Sequence, residues 1–320
     1  MIVSRRWPVH PAPTPGEALS SWLRRIAVRY HASLDDLMSN LGYARSEPKK
    51  LDACPPPGFV HELAQRTGVD DHRIQRMSLS GWTPWLVDQM EPAPEAFTTY
   101  TRQFSVLLPA GRRRPREITT WLAWLPSQWA IRACPLCIAT SEPPYPYQLL
   151  WLLSLTLSCP FHGCLLEPRP KAAGHTFPDW ERKSPTPRPV PVTALSMDNR
   201  TWHAMTAGSV ELPRRQVHAG IWFRLIRTII DELGATLSEC RTAGPLIKRF
   251  WKEAGYPQRF GPRSWQPHEG YPPDAQLLTL EATGTTIHLL ENKALTGQGR
   301  EAALFLPPTS APLEELQRNS

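Results

Sequence analysis

From Gly16 onward, apolar residues recur with the period of a helix: Leu19, Trp22, Leu23, Ile26, Ala27 and Tyr30 fall on one side at three-and-four spacing. Ser33 is a natural N-cap for a second helix, with Leu34, Leu37, Met38 and Leu41 on its apolar face and a stop at Gly42. After the break at Pro55, Pro56 and Pro57 the pattern returns. Leu63 and Ala64 close one helix, Gly68 supplies the turn, and Val69, Ile74 and Met77 are spaced to bury the next. The pattern predicts helix-turn-helix units over 17–42 and 58–79, although an ordinary helical hairpin shares much of this spacing.

Farther along, Thr98 to Arg116 ends in the basic run Arg112, Arg113, Arg114, Pro115, Arg116. Trp121, Trp124, Leu125 and Trp129 predict an apolar stretch packed onto the cysteine-bearing segment that follows, and Leu149 to Leu157 reads equally as helix or strand. Prolines at 168, 170, 178, 185, 187, 189 and 191 exclude a helix interior or a central strand, so 168–192 reads as a linker. Beyond it, Val217 to Leu237 predicts a buried helix with Ile221, Leu225, Ile229 and Leu233 on one face, and Gly244 to Ala254 a shorter one. Gln276 to Glu281 and Thr285 to Glu291 flank Ala282-Thr283-Gly284 as a β-hairpin.

The expected fold is therefore mainly α. An N-terminal domain over 1–167 carries the paired helix-turn-helix units and a small zinc-knuckle module at 130–167. A linker at 168–192 leads to a second helical domain with a short β-hairpin at 193–295, and 296–320 is a loose tail. Composition adds a bias toward acidic partners: 320 residues carry a net charge of +7, and 36 prolines favour semi-rigid connectors. The first segment has no apolar h-region and no run of 18 apolar residues follows, so a soluble, cytoplasmic protein is expected, with no membrane partner. In that setting six cysteines argue for metal binding or buried thiols rather than disulfides.

Their spacing points to chemistry. Cys134-Pro-Leu-Cys137 and Cys159-Pro-Phe-His162 each set two soft ligands on a tight turn, as tetrahedral zinc requires. Four protein ligands leave no position for water, so the expected cofactor is a single structural zinc whose binding contributes to folding. Cys54, Cys164 and Cys240 have no partner at ligand spacing and read as buried small hydrophobes, with Cys164 a possible substitute ligand. No phosphate loop, nucleophile elbow or HExxH is present, and His31, His61, His72, His175 and His203 each stand alone. No catalytic residue and no small-molecule substrate is assigned.

PTPGEALSSWLRRIA near the start, then LAQRTGVDDHRIQRMSL, CPLC, a Trp-containing segment at Trp151 and CPFHGCLL follow one another over about residues 7 to 167. In this order they resemble the TniQ family. The resemblance implies a non-enzymatic bacterial transposition protein that links target selection to an AAA+ transposition ATPase of the TniB or TnsC kind, in elements that use a DDE transposase. It implies that Cys134, Cys137, Cys159 and His162 are the family's zinc ligands. Many relatives carry a second CPxC after the HGxxL segment. Here Arg169-Pro170-Lys171-Ala172 stands in that place, so one zinc is expected.

The two helical units differ in charge. The second helix of the first opens Leu34-Asp35-Asp36 and has no base until Arg45, which suits protein contact through Leu34, Asp35, Asp36 and Met38. The second unit opens with Asp70 and Asp71 and then offers His72, Arg73, Gln75 and Arg76, a candidate DNA reader. Arg112, Arg113, Arg114 and Arg116 are candidate phosphate contacts or plain solvated surface, as are Lys49 and Lys50. Three functions fit these residues: an adaptor joining the ATPase to DNA or a nucleoprotein target complex, a stand-alone zinc-containing DNA-binding protein, and an enzyme. The closed ligand set disfavours the third.

Overall fold

The computed structural model describes residues 6–44, 47–111, 114–126, 132–168, 185–256 and 266–308. Five short helices make an N-terminal head: α1 (Leu19–Arg29), α2 (Leu34–Asn40), α3 (Pro48–Ala53), α4 (Phe59–Thr67) and α5 (Asp71–Gln75). The α1 stripe of Leu19, Trp22, Leu23, Ile26 and Ala27 is buried as its spacing requires, while Tyr30 caps the helix and is exposed. These side chains meet Leu37, Met38, Leu51, Phe59, Leu63, Ile74 and Met77 in one small core. Pairing of α1 with α2 and of α4 with α5 follows the expected order. The second helix of the second unit is only five residues long, because the chain leaves it for a 3₁₀ turn at Leu79–Trp82.

The opening PGExLSSWLxR text is explained by hydrogen bonds. Glu17, buried, accepts from the Thr14 N–H (2.9 Å), the Ser21 hydroxyl (2.9 Å) and the Arg25 guanidinium (2.7 Å). Ala18 has no side chain to cap α1. Asp52 on α3 takes that role, accepting from the Ser20 N–H at 2.8 Å and its hydroxyl at 2.7 Å. Gly16 has φ +72°, and a Cβ there would lie 2.6 Å from the Trp202 ring, so the turn before α1 admits only glycine.

After the head come α6 (Ala96–Thr101), β1 (Arg132–Ala133), α7 (Pro135–Thr140) and β2 (Glu167–Pro168), with β1 and β2 antiparallel. Residues Leu149–Leu152 form a 3₁₀ turn, neither of the two expected forms. The C-terminal part holds α8 (Val192–Ala207), β3 (Ser209–Glu211), β4 (Gln216–His218), α9 (Ala219–Leu233), α10 (Leu237–Cys240), α11 (Gly244–Glu253) and α12 (Pro273–Glu291). The short hairpin is β3 with β4, Val210 opposite Val217.

The hairpin expected around Gly284 is instead the middle of α12. Its β-branched threonines read as strand, but Thr279 and Thr283 donate to the carbonyls four residues back, at 2.7 and 2.8 Å, which satisfies them inside a helix. Gly284 is a crossing point rather than a turn: a Cβ there would lie 2.9 Å from the Thr193 carbonyl and the Ala194 Cα of α8.

The larger core runs across the boundary expected between the two domains. Phe97, Tyr100, Trp121, Trp124 and Trp151 share one cluster with Met197, Trp222, Phe223, Ile229, Phe250 and Phe305. Buried polar groups cross the same boundary. Glu269 pairs with Arg227 at 2.8 Å and accepts from the Trp121 indole and the Trp124 N–H, while Glu232 of α9 accepts from the N–H groups of Val106 and Leu107. Of the Pro-rich segment, 169–184 lie outside the described residues; by Arg188 the chain is already back on the knuckle module, pairing with Glu167 at 2.7 Å. The expected loose tail is docked as far as 308. Gly299 and Glu301 donate to Val106 and Ser105, and Ala302 and Phe305 are buried. No helix among the described residues is long and apolar enough to cross a membrane.

Candidate metal centre

Each knuckle is built by local backbone. Cys134 is the N-cap of α7, with Pro135 at the first helical position, and its sulfur accepts from the Cys137 N–H at 3.3 Å, which turns both sulfurs to one side. In the second knuckle the Cys159 N–H donates to the Cys164 carbonyl and the Gly163 N–H returns to the Cys159 carbonyl, both at 2.9 Å. Gly163 has φ +60°, the left-handed turn that reverses the chain after His162 and brings Cys164 back beside Cys159. The β1/β2 pair closes the base of the module.

The sulfurs of Cys134, Cys137 and Cys159 and a ring nitrogen of His162 lie within 4.8 Å of one another. His162 Nδ1 is 3.4, 3.3 and 3.6 Å from the three sulfurs in that order, and Cys137 and Cys159 are 3.5 Å apart. Tetrahedral zinc, with bonds of about 2.3 Å to sulfur and about 2.0 Å to nitrogen, sets sulfurs about 3.8 Å apart and sulfur about 3.5 Å from nitrogen. Donor set and spacing therefore fit zinc. A hydrogen bond with Cys134 holds Cys159 up at about 11 and pushes Cys137 upward. Cys164 is buried with its sulfur 3.5 Å from that of Cys134, against the four-atom group rather than in it.

Residues far along the chain hold this centre in place. Asp198 on α8 is fully buried, and one of its oxygens accepts from the Leu157 N–H (3.0 Å), the Ser158 N–H (2.7 Å) and the Ser158 hydroxyl (2.6 Å), next to Cys159. Arg132 spans the interior of the module, donating to the carbonyls of Thr156 and Leu153. Phe161 meets Trp202 of α8 edge-on at 5.0 Å. Sequence reasoning missed Asp198. Its only signal was an acid on an otherwise weakly patterned helix.

The remaining candidates separate. Met38 has no solvent exposure and belongs to the head core, so it offers a partner nothing; Leu34 and Asp35 are half-buried, and Asp36 is exposed and closes the Ser33 capping box. Arg76 is half-buried with its guanidinium 4.5 Å from the Trp82 ring, and Arg73, though exposed, donates to the Pro13 carbonyl at 2.7 Å. His72 is exposed. Arg116 pairs with Asp231 and lies over Phe97, which makes it part of the packing. Arg114 is exposed, and Arg112 and Arg113 lie outside the described residues. Cys240 is buried as expected, but Cys54 is exposed.

Compared with known proteins, residues 8–166 match the family model described as TniQ. No curated protein and no solved structure gives a significant match.

Proposed function

The chain belongs to the TniQ family, through a domain over residues 8–166, and is a transposition accessory protein; on that premise we propose that it is an adaptor joining an AAA+ transposition ATPase to DNA or a nucleoprotein target, with no reaction of its own. The observation that supports this is the metal centre. All four positions are taken by Cys134, Cys137, Cys159 and His162, so the metal, which we assign as one zinc per chain, has no site left for water or substrate. Its binding energy goes into holding the 132–168 module against α8. The ATPase-facing surface we assign to the start of α2, through Leu34, Asp35 and Asp36; DNA contact from the head falls to His72 and Arg73.

A pull-down of the full chain with the AAA+ ATPase encoded beside it, with and without DNA, tests the reading. Binding that persists without DNA and weakens in Asp35→Lys is the expected result. Absence of binding under both conditions overturns it, and sequence-specific DNA binding by a chain that ignores the ATPase favours a stand-alone DNA-binding protein.

A further inference from the structure

Arg114 and α10 come from stretches far apart in the chain, yet they meet, and α11 follows α10 after one 3₁₀ turn. The Arg114 N–H donates to Glu239 of α10 at 3.4 Å across 125 positions, and Arg102 and Arg114 line one cleft with that same glutamate. From Glu239 the chain passes through Arg241, exposed at φ 44°, directly into α11. That helix buries Ile247, Phe250 and Trp251 and leaves Lys248, Arg249 and Lys252 exposed. Among the described residues the side chains of Arg241, Lys248, Arg249 and Lys252 have no hydrogen-bond or ion-pair partner. The acids nearby are engaged: Glu239 accepts from the Thr236 N–H and hydroxyl at 2.9 and 3.0 Å, and Asp231 pairs with Arg116. Glu253, on the flank of α11, is the exposed exception.

We infer that the α10–α11 end, with Arg114, is a sequence-independent contact surface for the phosphate backbone of double-stranded DNA. Lys248 and Lys252 stand one turn apart, about 6 Å along the helix axis, so both can face one phosphate strand, whose charges recur about every 3.4 Å along the duplex axis. An acidic protein would need an apolar centre to its interface. Among the residues whose side chains are described, the large apolar ones that are exposed, Val9, Val28, Tyr30, Trp85, Phe161 and Val192, are none of them on α10 or α11. Unpaired cations with no apolar centre match a polyanion held by charge and counterion release. The transposition reading enters only in naming DNA as that polyanion, and the ATPase has no part in it.

The test is fluorescence anisotropy of the full chain with a labelled duplex of arbitrary sequence across a salt series. Lys248→Ala/Arg249→Ala/Lys252→Ala should weaken binding at low salt by tenfold or more, on the order of what three phosphate contacts supply, and make the log–log salt slope shallower by about 2.7. Removing equal charge elsewhere, in Arg29→Ala/Arg214→Ala/Arg215→Ala, should change affinity less than about threefold, the worth of roughly one phosphate contact. Circular dichroism checks that both variants fold. Equal losses in the two variants, an unchanged slope in the first, or failure of the wild type to bind at low salt would each overturn the inference. ATPase capture without DNA is unaffected by the α11 variant if the adaptor reading is right, so the two readings fail separately.

Discussion

At the scale of single residues, Cys137→Ser leaves three good donors around the metal. Since a structural site is coupled to folding, the variant should lose zinc and unfold at lower temperature, whereas the wild type should carry one zinc per chain by elemental analysis. Two zincs, or a metal-free wild type, would remove the assignment. Asp52 gives a pH signature. Burial raises it from 3.8 to about 7, so between those values the folded chain keeps a proton that the unfolded chain releases. Stability from this group is whole below pH 3.8 and is lost as pH rises toward 7, by at most about 1.4 kcal/mol per unit. Asp52→Asn keeps an acceptor for the Ser20 N–H but cannot ionise. It should therefore gain on the wild type between about pH 6 and about pH 7 in urea unfolding, where Asp198, also raised to about 7 by burial, acts alike in both proteins.

Among the elements, the crossing of α8 and α12 is the sharpest constraint. Alanine has the better helix propensity by about 1 kcal/mol, and at an exposed helical glycine it would stabilise. At Gly284 the added methyl meets backbone at 2.9 Å, and such overpacking costs about 1–3 kcal/mol. Gly284→Ala is therefore expected to lower the unfolding temperature. A rise would mean that the two helices part more easily than their contact implies. The same logic applies to the docked tail, where Gly299 faces the Ser105 carbonyl too closely for any side chain.

For the whole molecule, the shared core decides how the chain comes apart. A fragment ending at Pro168 would strip Trp121, Trp124 and Trp151 of their C-terminal neighbours and leave the N–H groups of Val106, Leu107, Leu157 and Ser158 without Glu232 or Asp198. Each buried donor left unpaired costs about 1–3 kcal/mol, comparable with a large part of a domain's stability. Residues 1–168 alone should be aggregated or unfolded, and the full chain should lose the metal module and α8–α9 in one transition. A soluble, zinc-loaded fragment with native circular dichroism would restore the expectation of two independent domains.

The sequence by itself determined what depends on near neighbours in the chain. The α1 stripe, the Ser33 cap and the two ligand pairs were legible because helix periodicity and a tight turn need only three or four residues to declare themselves. The TniQ text was legible for a related reason: Glu17, Ser21 and Arg25 bond to one another within a few turns. Tertiary structure decided which faces meet. It buried Met38, paired Arg116 with Asp231, made a helix of the threonine-rich segment around Gly284 and set Asp198 beneath the second knuckle. These outcomes rest on burial and on contacts between parts of the chain far apart in sequence, and the identity of a side chain does not specify the surface that will cover it.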